Sequence, residues 1–325
     1  MDINRAIDIS EKLGFSDIHN SMVGWARKMS DSDCPIILPL VGEFSSGKTS
    51  LINALTDSRS LETSTKPTTA TIFEVHFGCD RVHALVKGGD GESIDIEDIV
   101  TLKNSELSDA DYVKIFDTSD RISPSTLLID TPGLSSSDPR HKQALVSFLP
   151  EADGILVVMD INAQLSRTTV DFVNTISLSG RPIYLVLTKC DTKTNMQVEE
   201  TISYIRNNHQ LPFRGIIRTS SSSGNLDEMY TLLGDIQKDK GRILETVYAK
   251  RIEDAVSEMV SRIDLLLAST QDDKSIQEEI SKQRLELSKI NSKVDRVFDS
   301  WKRRSRETLG SDLCLTPDNF LFLTL

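Results

Sequence analysis

Between Pro35 and Ile236 the chain alternates short apolar runs with amphipathic stretches. The runs are IILPLV (36–41), TIFEVHF (71–77), RVHALV (81–86), STLLID (125–130), GILVVMD (154–160), PIYLVLT (182–188) and GIIRTS (215–220). Several are continuously apolar and bounded by turn residues, the pattern of strands covered on both faces. Amphipathic stretches at Lys48–Leu55, Arg140–Phe148, Ser166–Ser177, Asn195–Asn207 and Leu226–Gln237 predict helices between them. This alternation predicts an α/β domain with a doubly wound, mostly parallel sheet. Only Gly78-Cys79-Asp80 separates TIFEVHF from RVHALV, so these two are expected to form an antiparallel hairpin at the sheet edge.

The flanks follow a helical period. Met1–Met29 carries Ile3, Ile7, Leu13, Met22, Trp25 and Met29 at helical spacing. After Ile236, Leu244, Tyr248, Ile252, Val256, Met259, Ile263 and Leu266 recur at steps of three or four. A second run from Ile276 through Gln283 to Trp301 has a heptad seam with one polar position. QDDKS at 271–275 is the expected turn between two long antiparallel helices. Each stripe needs an apolar partner, so an α-helical bundle built from N- and C-terminal helices is expected to flank the central domain. The expected segments are 1–33, 34–240 and 241–325. The basic run Lys302, Arg303, Arg304 and Arg306 reads as a solvated helix end, with anionic lipid as the alternative contact.

The 325 residues suggest about two domains at roughly 150 residues each. Lys and Arg total 37 against 49 Asp and Glu, a net charge of −12. Such a balance argues against a sequence-independent hold on nucleic acid, and no nucleic-acid partner is expected. Residues 89–120 hold ten acidic residues against Lys103 and Lys114. They read as a solvated surface insertion pinned by Ile94, Ile96, Ile99, Val100 and Leu102. Cys34, Cys79, Cys190 and Cys314 are scattered and form no C-x-x-C pair, which argues against a disulfide framework or a zinc site and points to a reducing cytoplasm. MDINRAIDISEKL is polar and amphipathic, unlike a signal peptide. No apolar run reaches the roughly 18 residues of a membrane span.

Gly42-Glu43-Phe44-Ser45-Ser46-Gly47-Lys48-Thr49 matches the P-loop pattern G-x-x-x-x-G-K-[ST] between a strand and a helix. Glycines let the backbone wrap a phosphate, so that amides and a helix N-terminus face the anion. Gly42, Glu43, Ser45, Ser46, Gly47, Lys48, Thr49 and Ser50 are therefore the expected phosphate cradle. Lys48 would reach the β- and γ-phosphates and Thr49 would ligate Mg²⁺. Asp130-Thr131-Pro132-Gly133 ends STLLID, with Asp130 placed to hold Mg²⁺ through water and the Gly133 amide to sense the γ-phosphate. Thr188-Lys189-Cys190-Asp191 ends PIYLVLT. Asp191 would accept from the N1–H and exocyclic amine of guanine while the Lys189 stem lies along the ring. Adenine has no such donor pair, so this order of motifs favours GTP and GDP over adenine nucleotides.

Thr68-Thr69 stands where a mobile loop supplies a second hydroxyl to Mg²⁺, with Thr69 preferred. The amides of Ser220 and Ser221, in Thr219-Ser220-Ser221, are candidate contacts to guanine O6. Leu134 follows D-T-P-G and cannot hydrogen-bond the attacking water. Ser45 is the preferred residue to orient it, ahead of a main-chain carbonyl near Thr69. No arginine finger is evident, so a monovalent cation or a partner molecule is expected to supply positive charge.

G-E-F-S-S-G-K-T-S-L-I-N-A-L (42–55) resembles the P-loop of the bacterial dynamin-like GTPases, in the dynamin superfamily. P-T-T-A-T-I-F-E-V-H-F-G (67–78), L-L-I-D-T-P-G-L (127–134) and L-T-K-C-D (187–191) are similar to that family's switch I, switch II and base motifs. The resemblance covers residues 35–240, and the flanking helices in kind. It implies GTP hydrolysis with Mg²⁺, often with K⁺ or Na⁺, and dimerisation of the chain with itself through the nucleotide faces. It further implies a serine at the Ser45 position that orients water, a bundle that swings on hydrolysis, and membrane remodelling. The implied partners are an anionic membrane surface, touched peripherally from the cytoplasm, or a partner dynamin-like subunit. Phe44 departs from the polar residue of eukaryotic dynamins, and Thr194 stands where a dynamin carboxylate helps hold the cation. An Era-type switch GTPase serving ribosome assembly shares the same motifs and is the alternative reading.

Overall fold

A computed structural model of the chain describes residues 3–31, 33–56, 61, 72–88, 93–96, 110–134, 145, 148–209, 211–269, 280–285 and 287. Thr68 and Thr69, residues 140–147 apart from Leu145, the turn at 271–275 and the basic run at 302–306 lie outside the described residues. The chain divides into two compact units. One is Ser32–Val247; the other is Met1–Asp31 with the described residues of Tyr248–Leu325.

The first unit is built on a nine-stranded sheet. Its strands are β1 (Ile36–Val41), β2 (Ile72–His76), β3 (His83–Gly88), β4 (Ser93–Ile96), β5 (Ala110–Phe116), β6 (Thr126–Asp130), β7 (Ile155–Asp160), β8 (Ile183–Thr188) and β9 (Phe213–Arg218). They lie in the order β4-β3-β5-β2-β6-β1-β7-β8-β9. From β6 to β9 every pairing is parallel. β2 runs parallel to β5 and antiparallel to β6, and β3 is antiparallel to both neighbours.

Burial on both faces explains the continuous apolar runs. Leu38, Leu40, Leu156, Val158 and Val186 face one side, where they meet Leu51, Ile52 and Leu55 of α3 (Lys48–Leu55) and Met229, Leu233 and Ile236 of α6 (Asp227–Lys238). Val41, Val157, Met159, Leu185 and Leu187 face the other, against Val173 of α4 (Arg167–Ser177) and Val198, Ile202 and Ile205 of α5 (Asn195–His209). Each such aliphatic side chain contributes about 1.5–3 kcal/mol by burial. Register is therefore strongly specified, and strand ends carrying Asp130, Asp160 and Thr188 are held in place.

The expected hairpin of β2 and β3 does not form. β5 lies between them, with Val113 and Ile115 fully buried on the face that carries Val75, Ala84 and Val86. A local turn would have saved loop-closure entropy, but that saving grows only slowly with loop length. Burial of two more β-branched side chains outweighs it. The turn residues bond instead to the segment after β5: the Gly78 amide donates to Ser119 O at 2.9 Å and the Cys79 amide to Asp117 O at 2.9 Å. The acidic stretch 89–120 thus supplies two strands of the sheet, correcting its reading as a surface insertion; residues 97–109 lie outside the described residues.

The second unit is helical among its described residues. α1 (Ile3–Lys12) is followed by a turn with Gly14 in the left-handed region, and then by α2 (Ser16–Ser30). α7 (Lys240–Ser269) adds its residues from Tyr248 onward, and 280–285 and 287 are also helical. Ile9, Met22, Ile252, Val256, Met259, Ile263, Ile280 and Leu287 form its core.

Candidate nucleotide site

The loop 42–47 connects β1 to α3 and is pressed against two neighbours. A Cβ on Gly42 would lie 2.1 Å from the Val158 carbonyl oxygen, and one on Gly133 would lie 2.9 Å from the Phe44 amide nitrogen. Only glycine lets the backbone pass this close at both places. The Leu134 amide donates to Gly42 O at 3.0 Å, so the turn after β6 is fastened to the loop. The Leu134 side chain is buried in the apolar cluster of Val157 and Met159. Ser45 is exposed, with φ at 62°, in the left-handed region. Ser50 is half-buried on α3.

Lys48 is 7% exposed, and its ammonium donates to Gly42 O at 3.2 Å and Glu43 O at 3.0 Å. Burial pushes its pKa down, while the carboxylates of Asp130 and Glu43 act to raise it. Asp130 is 6% exposed and accepts the Thr49 hydroxyl on Oδ2 at 2.6 Å. Burial pushes the Asp130 pKa up, against the Lys48 charge and the Thr49 hydrogen bond. Asp130 Oδ1 and Ser46 Oγ are buried with no hydrogen-bond partner among the described residues. Two adjoining oxygen donors, one an unsatisfied buried carboxylate oxygen, suit a hard divalent cation such as Mg²⁺. The residues present therefore fit that ion.

On the opposite side, the end of β8 turns through Lys189 into a 3₁₀ turn at Cys190–Thr192. Asp191 accepts the Ser220 hydroxyl at 2.5 Å and the Ser222 hydroxyl at 2.9 Å, one on each oxygen. These bonds hold its pKa below the ordinary carboxylate value. Each oxygen keeps a further lone pair, so the carboxylate retains acceptor capacity for a base. Ser221 is half-buried beside Ser220. The Lys189 ammonium reaches Ser45 O at 3.3 Å, joining the two loops.

Two residues of the sequence motifs use their side chains to brace the loops. The Glu43 carboxylate accepts from Ser166, the N-cap of α4, and from Thr169 at 3.4 Å. The Thr188 hydroxyl donates to Ser46 O at 2.6 Å and Met159 O at 3.2 Å, tying β8 to the loop and to β7. Thr194 caps α5: its hydroxyl accepts the Gln197 amide at 3.3 Å, and the Gln197 side chain accepts the Thr194 amide at 3.0 Å. This reciprocal box explains a threonine at that position. Ser222, Ser166 and Asp160 carry the site's support and belong to none of the motifs. Asp160 alone had a usable signal, as a carboxylate ending an apolar strand.

Residues 38–190 match the model of the Dynamin family. Those residues, a little under half of the chain, form a dynamin-family domain. Over 225 residues it is 26% identical to Dynamin-like protein A of Bacillus subtilis (strain 168), covering 67% of this chain and 18% of that protein. It is 22% identical over 244 residues to an uncharacterized protein in the xynA 3′ region of Caldicellulosiruptor sp. (strain Rt8B.4), covering 70% of this chain and 58% of that protein. The chain thus spans less than two thirds of either relative's length. The fold of the dynamin-family domain and its surroundings overlays a solved structure described as an oligomerised bacterial dynamin pair that senses and tethers membranes at long range. The TM-score is 0.60 at 17% identity, covering 78% of this chain and 42% of that one.

Proposed function

We propose that this chain binds GTP with Mg²⁺ and hydrolyses it to GDP and phosphate, with two copies pairing through their nucleotide faces. The observation that carries this reading is the buried pair Lys48 and Asp130, with the half-buried Thr49 bonded to Asp130, together with an Asp191 that has acceptor capacity to spare. Loop amides and the Lys48 ammonium bind and orient the triphosphate, and Asp191 with Lys189 selects the guanine. Thr49 and Asp130, with Thr69, would hold Mg²⁺, which supplies positive charge against the phosphates when bound. Ser45 orients the attacking water, since the buried Leu134 side chain has no hydrogen-bonding group. K⁺ or Na⁺ supplies further positive charge. Segments 1–33 and 241–325 form the bundle whose movement is coupled to hydrolysis. The work is done in the cytoplasm at a membrane surface; in support of the membrane, a structure that shares the fold is described as a bacterial dynamin pair that senses and tethers membranes. Among the described residues no helix is long and apolar enough to cross a membrane.

Turnover per chain, measured over a hundredfold range of protein concentration with and without anionic liposomes, tests this. Turnover should rise with concentration in the wild type and fall about a hundredfold in Ser45→Ala. A flat profile contradicts dimerisation-linked hydrolysis, and normal turnover by Ser45→Ala removes its catalytic role.

A further inference from the structure

Lys189 adopts φ 57° and ψ 31° at the end of β8, a left-handed conformation that is strained for a non-glycine residue. Such strain persists only where the surroundings over-determine it. Here both ends of the lysine are held. Its ammonium donates to Asp160 Oδ2 at 2.6 Å, and its carbonyl accepts the Thr192 hydroxyl at 2.7 Å and the Thr192 amide at 3.0 Å. Asn162 closes the circuit. Its side-chain amide donates to Asp160 Oδ1 at 3.0 Å and to Thr192 Oγ1 at 2.9 Å, and its backbone amide donates to the same Asp160 oxygen at 2.9 Å.

We propose that Asp160, Asn162 and Thr192 are positioning residues that set affinity for the guanine base by acting through Lys189. The inference rests on the GTP reading above and adds three residues that belong to none of its motifs. The Lys189 and Asp160 side chains are 44% and 20% exposed, and a pair so placed adds little to stability. Its consequence is geometric. A free lysine side chain has many rotamers to lose on binding. Fixing it before the base arrives removes that penalty from binding. The same network holds the backbone turn that sets Asp191, two residues on, so releasing Lys189 loosens both contacts to the base. Asp160 ends β7 beside β8 with Asp160 and Thr188 in register, which makes the network an extension of the sheet rather than a loop accident.

The test is GTP turnover and the release rate of a fluorescent GDP, measured on the full chain for wild type, Asp160→Ala, Thr192→Val and Thr192→Ser. Asp160→Ala and Thr192→Val should each raise KM for GTP and speed GDP release on the order of tenfold, with kcat within about twofold of wild type. Thr192→Ser keeps the hydroxyl and should match wild type. Thr192 is exposed, and its change to Val removes a single hydroxyl, so that arm stands even where Asp160→Ala fails to fold. A wild type that binds GTP, with KM and release unchanged in Thr192→Val, overturns the inference alone; so does a kcat loss at constant KM. A folded wild type that binds no guanine nucleotide overturns the GTP reading as well.

Discussion

The Thr49 hydroxyl and the Asp130 carboxylate meet at 2.6 Å although 81 positions separate them in the chain. Thr49→Val keeps the shape and removes the donor, leaving both oxygens of a buried carboxylate without their protein partner. The nucleotide-free protein should lose about 1–3 kcal/mol in urea unfolding at neutral pH. That loss should shrink on acidification. Burial already raises the Asp130 pKa, and once Asp130 is protonated the Thr49 bond no longer supports a charge.

Asp191→Asn reverses the donor and acceptor match to the base. Preference should move from GTP to xanthosine triphosphate by about a hundredfold or more in the ratio of kcat/KM values. Competition kinetics with both nucleotides read this directly, and unchanged guanine selectivity would show the base contact to be misassigned.

Ser166 caps α4 and also donates to Glu43, so one hydroxyl serves a helix end and the phosphate loop. Ser166→Ala should cost about 1 kcal/mol. Glu43→Gln removes a negative charge near a helix N-terminus and should cost about 0.3–1 kcal/mol. Neither should change guanine over adenine selectivity, because neither touches the base side. Chemical denaturation together with nucleotide competition checks both statements.

In the helical unit, Arg262 donates to both oxygens of Asp17, at 2.9 and 2.6 Å. The guanidinium bonds hold the Asp17 pKa at about 2, below the ordinary 3.8. A carboxylate lowered in this way contributes stability that is complete above pH 3.8 and disappears as pH falls through about 2. Carboxyl NMR titration should find the Asp17 midpoint near about 2 in wild type, and close to the ordinary value in Arg262→Gln.

The nucleotide loops are legible in the chain because each is contiguous and follows an apolar strand, which fixes where it sits at the sheet's end. Leu51, Ile52 and Leu55 likewise announce α3, since helical spacing and burial coincide. β5 is hidden. Its Val113 and Ile115 alternate correctly, but Asp109, Asp111, Asp117 and Asp120 crowd around them and the charge dominates the reading. The supporting residues are hidden for another reason. Ser166 and Ser222 reach Glu43 and Asp191 from distant or unpatterned positions, and serine in a loop carries no periodic signal. Asp160 was within reach, because the strand-end argument that singles out Asp130 applies to it unchanged.

The placing of β5 between β3 and β2 imposes a schedule on synthesis. A nascent chain that has emerged only as far as β3 holds two apolar strands with no shared hydrogen-bonding neighbour. They become part of one sheet only after Phe116 leaves the ribosome. As residues 89–111 follow, their dense negative charge emerges beside those unpaired edges, and like charge of that density disfavours pairing with a second copy.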